Sequence, residues 1–248
     1  MKTQIKIRQL TLKVFSAFFL TFCALGAGKA HSFHNDLIES AQTHPKGIFV
    51  FATGPDLGAN NSETVRVRTQ TLADCLKDQL PEYQFHVFEQ FMPTQLDKFF
   101  KDVAHLYGQQ TPVTLIINSH GYDKNNTYFM KSHEGLVDAK TLSYLLHDCN
   151  VNVALLTCHS GAAVLDGFKG QVFGSSSNLT LTKESHFRNW IEIVKETKCP
   201  LLSAEQFCAT WEEAVKRSGS SSKDYPCWYA KAEAGKCKVV YGVKEMAA

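Results

Sequence analysis

No stretch of about twenty consecutive apolar residues occurs in this chain of 248, and a membrane-spanning helix needs that length. Neither C-x-x-C nor H-x-x-x-H spacing occurs, which removes the commonest zinc signatures; no metal and no cofactor are expected. Internal repeats and long low-complexity tracts are missing as well, so solenoids and arrays are excluded. Charge of one sign is also scarce. Lys and Arg total 26 against 24 Asp and Glu, and residues 1–30 hold five of the cations (Lys2, Lys6, Arg8, Lys13, Lys29) and no acid. The remainder carries 26 − 5 = 21 cations against 24 acids, a net −3. A body of that sign offers no phosphate-binding face, so nucleic acid is not an expected partner. A hydrophobic content of 44% with 20% charged residues excludes disorder as the main state.

What the N-terminus does have is an export pattern. A basic Met1–Lys13 precedes the short apolar run Val14–Gly28, and Gly28 and Ala30 take the −3 and −1 positions of a cut before His31. Residues 1–30 therefore read as a secretory signal, and the mature chain is expected to be secreted or periplasmic, without a stable membrane span. Of eight cysteines, Cys23 leaves with the signal, and the seven that remain are an odd number. In an oxidising compartment one thiol is then left over as a candidate reactive group, and six can pair.

The rest of the chain alternates strand and helix patterns. Gly47–Thr53, Tyr83–Phe88, Val113–Asn118, Val151–Thr157 and Gln171–Ser176 read as strands. Ser62–Leu80, Thr94–Tyr107 and Leu136–Asp148 read as helices, the second with Leu96, Phe99, Phe100, Val103 and Leu106 on one face. Continuous apolar strands and long connections predict an open, mostly parallel α/β sheet flanked by helices. Residues 31–196 form that domain. Residues 197–248, rich in cysteine, form its disulfide-stapled C-terminal extension.

Functional groups of open α/β sheets gather at the carboxyl ends of strands. Here Val113–Asn118 runs into Ser119-His120-Gly121, and Val151–Thr157 runs into Cys158-His159-Ser160-Gly161. A thiolate nucleophile needs an imidazole to handle protons, and that pair is His120 and Cys158. The Gly121 and Cys158 N–H groups are candidates for an oxyanion hole, and Gly161 suits a sharp turn away from the nucleophile. Competing readings exist for each: Cys158 as a buried structural thiol, His120 as a strand-end histidine. His133, His147 and His186 have no partner pattern, and His159 belongs at most behind the site.

The segments LIINSHG and VALLTCHSG, whose His120 and Cys158 lie 158 − 120 = 38 residues apart, resemble the caspase-like (clan CD) cysteine peptidases. The tetrapeptide Cys158–Gly161 is most similar to that of metacaspases. The resemblance spans about Gly47–Ser177 and implies a caspase-like fold, a His120/Cys158 dyad and a secreted endopeptidase acting on a protein or peptide substrate. It also implies a substrate pocket bordered by Leu156, Phe173, Ser175, Ser176 and Ser177. Relatives that cut after basic residues carry an acid two positions before the nucleophile. Leu156 stands there, so the P1 residue is expected not to be basic; Asp123 and Asp166 are the loop carboxylates that offer an alternative. A catalytically silent binding module, or another thiol acyl hydrolase on the same scaffold, stays open. With Cys158 kept free, proximity suggests Cys199–Cys208 and Cys227–Cys237, the latter around a Gly235 hairpin, and leaves Cys75–Cys149. Spacing alone does not choose among the pairings.

Overall fold

A computed structural model describes residues 44–55, 62–125, 127–147, 150–163, 170–176, 183–221, 223–233 and 236–241. The expected signal at residues 1–30 lies outside them. Chain order is β1 (Gly47–Thr53), α1 (Ser62–Gln79), β2 (Tyr83–Phe88), α2 (Pro93–Tyr107), β3 (Pro112–Asn118), β4 (Gly121–Lys124), β5 (Thr127–Ser132), β6 (Gly135–Asp138), α3 (Ala139–Leu146), β7 (Asn150–Leu156), a 3₁₀ turn (Ser160–Ala162), β8 (Gln171–Gly174), α4 (Glu184–Thr197), α5 (Ala204–Arg217), β9 (Trp228–Glu233) and β10 (Lys236–Tyr241).

The main sheet runs β10-β9-β8-β7-β3-β1-β2. From β8 to β2 all neighbours are parallel, and β9 and β10 add an antiparallel hairpin at one edge. The predicted parallel α/β class is therefore present. β1 and β3 are apolar along nearly their whole length because helices cover both faces, and strand alternation sorts their side chains between them. Phe49, Phe51, Ile116, Ala154, Leu156 and Phe173 face α1, α4 and α5 across a core that holds Trp190 and Trp211. On the other face His86 and Phe88 of β2 meet the Phe99 ring of α2 edge-on. α2 starts at Pro93, where a missing N–H costs nothing, and buries Leu96, Phe99, Phe100, Val103 and Tyr107.

Two expectations need correction. The helix expected over Leu136–Asp148 begins only at Ala139. Gly135–Asp138 pairs instead with β5, and the Asp138 carboxylate caps the helix by accepting from the Thr141 N–H at 2.7 Å. The cysteine-rich C-terminal extension supplies α5, β9 and β10.

The second correction concerns disulfides. Cys208 bonds Cys227, with Cα atoms 6.1 Å apart, so Cys199–Cys208 and Cys227–Cys237 do not form. Cys208 lies inside α5 and is turned into the core, where Cys227 arrives at the start of β9. β9 and β10 do pair antiparallel, but Cys237 lies opposite Ala232, five residues up the strand from Cys227. At about 3.3 Å per residue that is roughly 16 Å, far beyond a bridge. Proximity in sequence was a poor guide because a strand holds its residues apart. Cys75 and Cys199 are free thiols, and Cys149 lies outside the described residues.

Candidate active site

β3 and β7 are neighbours, and their last residues, Asn118 and Leu156, are register partners. His120 and Cys158 each follow two residues later, so both leave adjacent parallel strands at the same edge of the sheet. The two loops remain in contact beyond the last rung. A Cβ placed on Gly121 would lie 1.9 Å from the Cys158 carbonyl oxygen, so only glycine allows the backbones to meet there.

His120 is clasped from the side by β5. Its carbonyl accepts from the Lys131 N–H at 2.9 Å, while the Ser119 hydroxyl donates to the Lys131 carbonyl at 2.5 Å. In an antiparallel ladder, bonded and non-bonded pairs alternate. Because Lys131 bonds His120, the next pair, Gly121 with Met130, is non-bonded, and the Gly121 N–H points away from β5.

The nucleophile loop is fixed from below. His159 takes the left-handed conformation at φ 56°, which swings the chain into the 3₁₀ turn; Gly161, expected to make that turn, is not among the residues of positive φ. Ser160 and Ser176 are fully buried and bonded to each other through backbone and hydroxyl groups at 3.0–3.1 Å. The Ser176 hydroxyl also donates to the Thr157 carbonyl at 2.9 Å, and the Ser175 hydroxyl to the same oxygen at 3.3 Å. Tyr128 of β5, buried beside them, shares a hydrogen bond with the Thr157 hydroxyl.

Of the residues singled out in the sequence, Gly121 and Cys158 meet, and His120, next to Gly121, leaves the strand adjacent to that of Cys158. The expected pocket residues do not present a surface. Leu156 and Phe173 belong to the core under α1, α4 and α5, and Ser175 and Ser176 spend their hydroxyls holding the Thr157 carbonyl. Strand alternation puts Leu156 and Phe173 on the helix-covered face, so they pack there instead of lining a cleft. Ser177 and Asp166 lie outside the described residues, and Asp123 sits at the exposed end of β4. Burial pushes the Cys75 and Cys199 thiols above their ordinary value, which lowers their thiolate fraction.

Sequence reasoning missed Tyr128, Thr157 and the Ser160–Ser176 lock. The alternating run Thr127–Ser132 was the available signal for β5. Among the described residues, Cys208, Glu212 and Cys227 are close enough to one another to share a metal, but their two sulfurs are joined to each other. No helix among the described residues is long and apolar enough to cross a membrane.

No family model and no curated protein sequence matches the chain. Solved structures do. The chain is similar to the Drosophila initiator caspase Dronc, with a TM-score of 0.53 at 12% identity over 78% of this chain and 82% of that one. The fold is caspase-like. A Geobacter sulfurreducens protein is similar too, with a TM-score of 0.50 at 11% identity over 76% and 94% of the two chains. At such identities the caspase-like fold is shared, and the chemistry must be argued from this chain's own residues.

Proposed function

We propose that the chain is a cysteine endopeptidase that uses Cys158 as nucleophile and His120 as its acid and base. The observation that carries this reading is the paired exit of both residues from register partners on adjacent strands, with Gly121 pressed against the Cys158 carbonyl. The Cys158 sulfur attacks the scissile carbonyl carbon, and the carbonyl electron pair moves onto oxygen. The Gly121 N–H, free of the β5 ladder, and the Cys158 N–H are the candidate donors to that oxyanion. The C–N bond then breaks, His120 delivers a proton to the departing amine, and water hydrolyses the thioester.

A silent binding module needs neither a thiol nor an imidazole at these two positions, which favours the enzyme. A peptide library varied at P1, incubated with wild type and with Cys158→Ala, separates the readings. Turnover confined to wild type supports the dyad; turnover that survives Cys158→Ala overturns it, and peptide binding without turnover in either protein points to the module. The basic and then apolar N-terminus supports export, and a mature N-terminus at His31 is the expected result of sequencing.

A further inference from the structure

Strand β5 touches both halves of the site. Lys131 at one point of the strand holds the backbone of His120, and Tyr128, three residues earlier, reaches the loop of Cys158. The Tyr128 ring is buried, and its hydroxyl has the Thr157 side chain as partner. Thr157 immediately precedes Cys158, and its carbonyl is already held by Ser175 and Ser176. The peptide ahead of the nucleophile is thus gripped on one side by the end of β8 and on the other by β5. Burial raises the phenol well above its ordinary value, the Thr157 bond opposes this, and the charge of a nearby Cys158 adds to the rise. Tyr128 therefore stays a neutral hydroxyl.

We propose that Tyr128 is a positioning residue: its hydrogen bond to Thr157 fixes the Cys158 loop against the same strand that holds His120, and so sets the alignment of thiol and imidazole. The proposal rests on the dyad reading above. A bond between side chains on separate segments has a geometric role that neither segment supplies alone, because it ties the exit of β7 to the strand that also holds His120. Misplacing reacting groups by about an ångström costs on the order of 100-fold in rate. Loss of one buried hydroxyl, with the ring still packed, should produce a smaller slip, about tenfold.

The test measures the rate at which iodoacetamide alkylates Cys158, resolved from Cys75 and Cys199 by peptide mass mapping. The variants are Tyr128→Phe, Thr157→Val, Thr157→Ser, His120→Ala and the Tyr128→Phe/His120→Ala double variant, each checked for folding by circular dichroism. His120→Ala alone should slow alkylation; if it does not, the dyad reading fails and takes this proposal with it. Given that slowing, Tyr128→Phe and Thr157→Val should each lower the rate about tenfold, and Thr157→Ser, which keeps the hydroxyl, should recover most of the loss. In the double variant Tyr128→Phe should add nothing, because no imidazole remains to align with. Wild-type rates in both Tyr128→Phe and Thr157→Val, or a full tenfold loss that persists without His120, would overturn the positioning role and leave the dyad intact. Should Tyr128→Phe unfold, Thr157→Val against Thr157→Ser decides alone, with equal rates overturning the role.

Discussion

Substituting Gly121 by alanine tests how closely the two halves of the site must meet. The new Cβ would stand 1.9 Å from the Cys158 carbonyl oxygen and 3.0 Å from its carbon, both backbone atoms that no rotamer change can move aside. Real Cβ atoms essentially never approach within 3.0 Å, so the loops must part by at least 3.0 − 1.9 = 1.1 Å. Overpacking of this kind destabilises by about 1–3 kcal/mol. A displacement of that size between nucleophile and imidazole costs on the order of 100-fold in rate. Gly108→Ala separates the two effects. Gly108 has φ 87° with open space around it, at the opposite edge of the sheet, so alanine there strains the backbone and leaves the site alone. Urea midpoints should fall for both variants, while peptide turnover should collapse only for Gly121→Ala. Turnover within twofold of wild type in Gly121→Ala would refute the claim that this contact sets the site.

Two further predictions follow from the packing. Cys208→Ser opens a bridge of sequence separation 19, which the chain-entropy relation values at about 3 kcal/mol; the expected fall in unfolding free energy in urea should be matched by Cys227→Ser and not increased in the double variant. His186 is buried against Trp211 and Tyr225, bonded to Ser220, and its pKa is pushed down to about 4 by burial and by Lys183. The unfolded chain titrates this group near its ordinary 6.5, so it takes up the proton first. Stability from this group is complete above that value, is lost as pH falls from about 6.5 towards 4, and changes no further below. Denaturation followed from pH 7 to 4 should show that slope in wild type and less of it in His186→Gln; equal slopes would contradict the burial argument.

The parallel core was legible because buried parallel strands are continuous apolar runs, as Val113–Asn118 and Val151–Leu156 are, and because α2 carries its apolar residues at helical spacing. His120 and Cys158 were legible for the related reason that chemistry collects where such strands end. The β4–β5–β6 sheet escaped notice because its strands are four to six residues long and only five of their 14 residues are buried. Tyr128 was hidden with it: a tyrosine in a short polar strand carries no local mark that its hydroxyl will reach a residue 29 positions away. The pocket residues were misjudged because adjacency to Cys158 in sequence says nothing of the sheet face. Leu156 and Phe173 point under the helices, and Ser175 and Ser176 turn back to the loop. The disulfides failed similarly, since Cys208 and Cys227 meet only once α5 and β9 have packed.

The central claim, that Cys158 and His120 act as one unit on a peptide carbonyl, is tested most directly by covalent trapping. A panel of peptidyl acyloxymethyl ketones varied at P1 is incubated with wild type, Cys158→Ala and His120→Ala, and intact mass and peptide mapping locate the adduct. A single adduct on Cys158 in wild type, absent from Cys158→Ala and strongly slowed in His120→Ala, is the predicted result. Labelling that falls on Cys75 or Cys199, or that proceeds on Cys158 equally fast without His120, contradicts it.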